Sequence, residues 1–169
     1  MNTISKVQMT TREGSRPASA EQRLEELAIK LPPLELFSTY TKAVQKDNLL
    51  HLSGTLGKEG YQAKFNGRVS AEIDVEAVRK ATHLAALSVL AAARQHLGSL
   101  DKVTRIVRLG VSTPSSGNVR EMPKIAHAAS ELLEDVFGKD KRPSRLVYDV
   151  ASLPFDAPVE LEIIFEVGD

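Results

Sequence analysis

The apolar C-terminal segment begins with two carboxylates at alternate positions. Glu160 and Glu162 interrupt the run VELEIIFEV. Because successive side chains of a strand point to opposite faces, both glutamates should lie on the same face. Carboxylates in so apolar a run are unfavourable unless they are paired, hydrated or used in chemistry. They are therefore candidate acid–base groups.

Arg145 begins the apolar strand before this one, and the short connection would allow the two strands to pair antiparallel. An arginine and a glutamate facing one cleft would form an anion clamp beside a general base. The alternative is a salt bridge on an edge strand. These residues alone favour that alternative.

The composition excludes several other kinds of site. The 169 residues include no Cys, which excludes disulfides, thiolate nucleophiles, zinc–thiolate sites and iron–sulfur clusters. The four His residues are scattered, and only His127 shares a helical face with an acidic residue, Glu131, so no metal site is expected. The glycines that follow Ser53 lack the Lys-[Ser/Thr] of a phosphate loop.

The charge balance argues against a polyanionic partner. Lys and Arg total 22, as do Asp and Glu, so the chain has no global field that would attract nucleic acid. No segment approaches the roughly 18 apolar residues of a spanning helix, and the N-terminus shows no signal-peptide core. We therefore expect a cytoplasmic domain that binds neither nucleic acid nor membrane.

Periodicity and capping signals predict the elements that must position these residues. Residues 1–18 form a polar tail, and 19–33 form a helical extension that begins with a capping box at Ser19 and Gln22. That helix should run for about 12 residues and end at Pro32-Pro33. A hairpin is predicted over 40–45 and 49–54, a glycine-marked loop over 54–67, helices over 74–97 and 125–137, and strands over 100–111, 145–151 and 159–167.

The order ββαβαββ predicts an α+β fold, a mixed sheet with two helices on one face. The alanine-rich stripe of the first long helix, at Ala81, Ala85 and Ala92, indicates close packing against that sheet. The opposite face of the sheet would then need a cover, and for a chain of this length self-association is the economical one.

Several short motifs stand in order along residues 34–169. They are Tyr40, the run NLLHLSG at 48–54, the run LDKV at 100–103, Pro143-x-Arg145, Leu153-Pro154 and Val159-Glu160-Leu161-Glu162. Together they resemble the Rid family of reactive-intermediate deaminases, also called YjgF or L-PSP. The N-terminal extension looks most like that of a bacterial side branch of the family. The resemblance implies a chorismate-mutase-like fold and a homotrimer around a central β-barrel, with clefts between subunits.

The resemblance also implies an activity, the hydrolysis of 2-imino and 2-enamino acids to 2-keto acids and ammonia without a cofactor. Arg145 would hold the substrate carboxylate, and Glu160 would position water and shuttle its proton to the departing amine. Tyr40, Ser53 and Gly54 would line the cleft, and the backbone of Val147 would contact the substrate.

The sequence departs from the family pattern at three cleft positions. Thr55 stands where the family has Gln, Leu146 where many members have Ser, and Ser130 falls nearest to a missing Asn. These departures favour a second hypothesis, a non-catalytic trimer that binds small carboxylate metabolites. A third, the endoribonuclease role, would draw on the basic residues Lys139, Lys141, Arg142 and Arg145, but the charge balance argues against it.

Overall fold

The structure is a computed structural model that describes residues 18–34, 39–57, 75–115 and 119–169. The described residues form a six-stranded sheet and three α-helices. In chain order these elements are α1 (Ala20–Glu26), β1 (Ala43–Lys46), β2 (Leu49–Leu52), β3 (Thr55–Leu56), α2 (Val75–Leu97), β4 (Val103–Thr113), α3 (Met122–Phe137), β5 (Ser144–Asp149) and β6 (Glu160–Val167). The predicted α+β class and its mixed sheet are confirmed.

The N-terminal helix begins as predicted but ends early. Ser19 and Gln22 form the capping box, each side chain accepting a hydrogen bond from the other residue's backbone N–H. The helix has 7 residues and not about 12. Ala28 takes a left-handed φ of 52°, and the N–H of Ile29 donates back to the carbonyl of Leu24, which closes the helix before Pro32.

This helix packs into the same core as the rest of the chain. Leu24 is buried, and Glu21 connects α1 to two other parts of the fold. Its carboxylate accepts from the Leu100 N–H at 2.9 Å and pairs with Arg94 at 2.9 Å, while its own N–H donates to Asp101.

The strands lie in the order β1-β2-β6-β4-β5, and β3 also pairs with β6. The predicted β1–β2 hairpin is confirmed, with Asp47 at a left-handed φ of 55° in its turn. The interpretation of the glycine-marked segment as loop is wrong at Thr55 and Leu56, which form β3. Gly60, Gly67 and the predicted N-cap Asp74 lie outside the described residues.

The predicted antiparallel pairing of the last two strands is wrong. β4 lies between them, pairing parallel with β5 and antiparallel with β6. The connection from Val150 to Val159 crosses the end of β4, where the Thr113 carbonyl accepts from the Val150 N–H and the Thr113 hydroxyl donates to the Pro158 carbonyl. These bonds hold the connection across the strand end.

The sheet has two different faces. α2 and α3 cover one, which we call the helix face, and their buried alanines pack there as the sequence predicts. In the described part of the chain no helix covers the other, which we call the open face. It carries the side chains of Val44, Arg108, Ser112, Leu146, Tyr148, Glu160 and Glu162.

Candidate functional site

Glu160 lies at the first position of β6, on the open face. It pairs across the sheet with Ser112, whereas its neighbour Leu161 is fully buried on the helix face. The side chain is half-buried, and this burial raises the pKa of the Glu160 carboxyl above its ordinary value because the charged form loses hydration. A carboxylate with a raised pKa is a stronger base, as proton transfer near neutral pH requires.

The residues that follow β2 lie against this carboxylate. A Cβ atom on Gly54 would lie 3.1 Å from Cδ of Glu160 and closer still to its Oε1. Ser53, one residue earlier, donates its N–H to the Lys42 carbonyl at 2.9 Å and its hydroxyl to the Thr41 carbonyl at 2.6 Å. These bonds bring the segment that carries Tyr40, which is half exposed, beside the end of β2.

The structure therefore places Ser53 and Gly54 beside Glu160 at one end of the sheet, and the Thr41 carbonyl ties the segment that follows Tyr40 to Ser53. The role of Thr41 was not predicted, because a backbone carbonyl leaves no signal in side-chain patterns. The Ser53 hydroxyl donates its one proton to the Thr41 carbonyl. Its oxygen can therefore accept a further hydrogen bond but cannot donate another.

Arg145 and Val147 form a second group, on the helix face of β5. Arg145 pairs with Leu109 and Val147 with Val111, and both partners are fully buried on that face. The guanidinium of Arg145 is half-buried and donates from NH1 to the hydroxyl of Ser130 on α3 at 3.1 Å. Val147 packs partly into the core.

Arg145 and Glu160 thus lie on opposite faces of the sheet within one chain. Within one chain they neither face one cleft nor form the salt bridge that these residues alone favour. The reason is their register on β4: Arg145 aligns with Leu109 and Glu160 with Ser112, and these two residues of β4 point to opposite faces. Glu160 shares a row on the open face with Ser112 and Tyr148, and Arg145 shares a row on the helix face with Leu109 and Ile163. A site that uses both groups needs two copies of the chain.

Glu162 shares the open face with Glu160, as predicted, but it has a cationic partner. Its Oε1 lies 3.7 Å from Nε of Arg108, whose NH2 donates to the Tyr148 hydroxyl at 2.8 Å. Within the described residues, Nε of Arg108 is buried and has no hydrogen-bond partner at normal distance. Sequence alternation places Arg108 outward but does not reveal this cluster.

The basic residues after α3 are already engaged. Arg142 pairs with Glu134 at 2.7 Å, and the Lys141 ammonium donates to the Val103 carbonyl at 2.8 Å. Within the described ranges, no three His, Asp or Glu side chains converge on a point that could hold a metal ion. None of the described helices is both long and apolar enough to cross a membrane.

Comparison with protein families gives a match over most of the chain. The model of a family described as "YjgF/chorismate_mutase-like, putative endoribonuclease" matches residues 14–166. "Protein TCP17" of Trypanosoma cruzi is 35% identical over 148 residues, which cover 86% of this chain and 92% of that protein.

Solved structures share the fold. Atu1372 of Agrobacterium tumefaciens, a protein of unknown function, is 32% identical with a TM-score of 0.76, over 88% of this chain and 94% of its own. A "putative endoribonuclease" of Shewanella oneidensis is 25% identical with a TM-score of 0.78, over 89% and 100%. E. coli TdcF with bound serine, at 18% identity and a TM-score of 0.53 over 79% and 91%, shares the fold alone.

Proposed function

The chain belongs to the YjgF/chorismate-mutase-like family, and we propose that it hydrolyses 2-imino and 2-enamino acids to 2-keto acids and ammonia. The site would combine Arg145 of one subunit with Glu160 of a neighbour. One observation carries the proposal. The chain holds a half-buried guanidinium and a half-buried carboxylate with a raised pKa on opposite faces of the sheet, so that neither group can neutralise the other within one chain.

The Arg145 half of the site fits a carboxylate. In the described part of the chain its guanidinium pairs with no acidic side chain and donates to a neutral hydroxyl instead. A partly desolvated cation without a counter-ion is unfavourable, and an incoming anion relieves that cost. The planar fork of arginine matches both oxygens of a carboxylate, the group that every 2-imino acid carries.

The Glu160 half fits the chemistry at the imine carbon. The substrate reacts as the protonated imine. The Glu160 carboxylate takes a proton from a water molecule as the water oxygen bonds to the C=N carbon, and the electron pair of the C=N π bond becomes the lone pair of a neutral amine. Glu160 then delivers that proton to the amine, the C–N bond breaks, and ammonia leaves as the C=O bond forms, while the hydroxyl proton passes to Glu160 and on to solvent. The reaction consumes one water and needs no oxidant or cofactor.

The other predicted residues have roles consistent with this scheme. The Ser53 hydroxyl, limited to accepting, suits an N–H of the imine or of the departing amine. Gly54 leaves room for the Glu160 carboxylate. Tyr40 would form part of the cleft wall, and the Val147 backbone would line the side that holds Arg145.

The open face needs a cover. We propose that it packs against other copies of the chain in a homotrimer around a central barrel. Val44 on β1 and Leu146 and Tyr148 on β5 are between 39% and 54% exposed there, so apolar side chains stand at both edges of a sheet surface that no described helix covers. E. coli TdcF, which shares the fold, was solved with bound serine, a small molecule that carries a carboxylate.

The test is turnover of 2-imino acids formed in situ by an amino-acid oxidase, followed as 2-keto acid produced in competition with a trapping nucleophile. We expect the wild type to accelerate hydrolysis and Glu160→Gln to lose roughly 10²- to 10⁴-fold. Glu162→Gln, two positions along the same face, is the matched control and should retain activity once its assembly is verified. Equal rates for wild type and Glu160→Gln would refute the proposal.

The second candidate is a non-catalytic binder of small carboxylates, which the departures at Thr55 and Leu146 favour. It predicts the same dependence of ligand affinity on Arg145 but no turnover of small, aliphatic or aromatic imines. Calorimetry with a 2-keto acid beside the turnover assay separates the two functions.

Some proteins of this family are named endoribonucleases, but the basic residues of this chain support that function less. A phosphate at Arg142 would compete with the Glu134 carboxylate for the same guanidinium, and Lys141 already gives one of its three donors to the Val103 carbonyl. RNA association that disappears as salt rises, without cleavage, would mark non-specific binding.

A further inference from the structure

We propose that Ser130 is a positioning residue that fixes the Arg145 guanidinium so that the site takes a carboxylate in preference to the neutral carboxamide of the same shape. The inference rests on the proposed function in one respect, that Arg145 is the group that meets the ligand. It adds a residue and a basis for selectivity to that site.

The direction of the hydrogen bonds around Ser130 is fixed by chemistry. The Ser130 hydroxyl lies 3.4 Å from the carbonyl of Ala126, one helical turn earlier on α3, and 3.1 Å from NH1 of Arg145 on β5. A carbonyl can only accept and a guanidinium can only donate. The one hydroxyl proton therefore points to Ala126, and a lone pair of Ser130 faces Arg145.

This anchor leaves one edge of the guanidinium for a ligand. NH1 is held by Ser130, whereas Nε and NH2 form the edge that matches two carboxylate oxygens in parallel hydrogen bonds. A hydroxyl, unlike a carboxylate, leaves the full positive charge of Arg145 for the ligand. Ser130 thus orients Arg145 without neutralising it.

Selectivity follows from what a carboxamide offers to that edge. A carboxamide has one oxygen acceptor and an NH2 group that would face an N–H of Arg145, so a half-buried donor would remain unpaired. A site whose polar groups all pair with one particular ligand group binds an analogue poorly when that analogue leaves polar groups of the site unpaired. Without Ser130, the guanidinium can rotate away, and this discrimination weakens.

The test compares pyruvate with pyruvamide by calorimetry on the full-length assembled protein. Wild type should bind pyruvate at least about tenfold more tightly than pyruvamide, and Ser130→Ala should lose about 5- to 10-fold in pyruvate affinity with little change for pyruvamide. Ser130→Thr keeps the hydroxyl and should restore the preference. For a hydrolysed imine, Ser130→Ala should raise KM and leave kcat within about twofold, since Glu160 is intact.

Ser88→Ala is the matched control. Ser88 on α2 is half-buried and makes the same kind of bond, from its hydroxyl to the Leu84 carbonyl one turn earlier at 3.2 Å. Its loss tests the effect of removing a helical hydroxyl that makes no hydrogen bond to Arg145. We expect it to leave the affinities for both ligands unchanged.

The outcomes separate the inference from the proposed function. Pyruvate binding that depends on Ser130, in a protein that hydrolyses no imine, would support the inference and overturn the deaminase function. Imine hydrolysis with pyruvate affinity that is equal in wild type, Ser130→Ala and Ser88→Ala would overturn the inference alone. Equal losses for pyruvate and pyruvamide, or no pyruvate binding by the wild type, would also overturn it.

Discussion

The carboxylate of Glu160 occupies the space that a side chain at Gly54 would need. A Cβ there would lie 3.1 Å from Cδ of Glu160 and closer to its Oε1. Gly54 is required for this close approach and not for an unusual φ, since its φ is not among the positive values of the chain. The loop after β2 and the first residue of β6 are therefore fitted to each other.

Gly54→Ala should displace the Glu160 carboxylate and reduce imine hydrolysis by roughly 10²-fold, the size of effect that a shift of about 1 Å in a catalytic group produces. The measurement is kcat/KM for a hydrolysed imino acid. Gly110→Ala is the control. It lies beside Glu162, a second carboxylate of the open face, and its Cβ would sit 3.5 Å from that side chain, an ordinary contact. If both variants retain assembly and equal activity, the fit of Gly54 to Glu160 has no catalytic importance.

The pH dependence of hydrolysis should report the raised pKa of Glu160. Burial shifts the pKa of this carboxyl upward from 4.5, and only the deprotonated form can take a proton from water. Activity should therefore be full above the Glu160 pKa and fall as the pH drops through it, with the midpoint of kcat/KM above pH 4.5. A profile that stays flat to pH 4.5, in a protein still folded by circular dichroism, would exclude Glu160 as the base.

A third prediction concerns the end of α1. Ala28 occupies the left-handed position after the helix, where the N–H of Ala28 donates to Glu25 and that of Ile29 to Leu24. Glycine adopts this conformation without the steric cost of a Cβ. Ala28→Gly should stabilise the protein by about 0.5–1 kcal/mol after the greater chain entropy of unfolded glycine is counted. Urea denaturation measures it, and Ala18→Gly, outside the helix, should not reproduce the gain.

The sequence predicts best what depends on near neighbours. The capping box at Ser19, the hairpin turn at Asp47 and the helix stop at Gly98 are each decided within a few residues. The early end of α1 was missed because Ala28 gives no signal for a left-handed φ. Glycine or asparagine at that position would have given one.

The relation between the two halves of the candidate site could not be predicted from one chain's pattern. Strand β5 has apolar residues on both faces, Leu146 and Tyr148 on the open face and Val147 on the helix face. Hydrophobicity therefore does not say which way Arg145 points. The answer depends on β4 lying between β5 and β6, a long-range pairing that the connecting segment does not specify.

The separation of Arg145 and Glu160 leads to a complementation test. If each site takes Arg145 from one subunit and Glu160 from another, Arg145→Ala and Glu160→Gln should each be inactive alone. Mixed oligomers formed by refolding the two together should contain intact sites, because half of the chains supply an intact arginine and half an intact glutamate. Random assembly then gives about a quarter of the wild-type activity per chain.

The double variant Arg145→Ala/Glu160→Gln, refolded with wild type at the same ratio, is the control for dilution. It also gives about a quarter under a shared site, because both groups of a site must come from wild-type chains. Under a site contained in one chain, that control would give about half, and the two single variants together would give none. Recovered activity in the single-variant mixture therefore places Arg145 and Glu160 of one site on different subunits, whereas its absence, with mixed oligomers verified by mass, would confine the site to one chain.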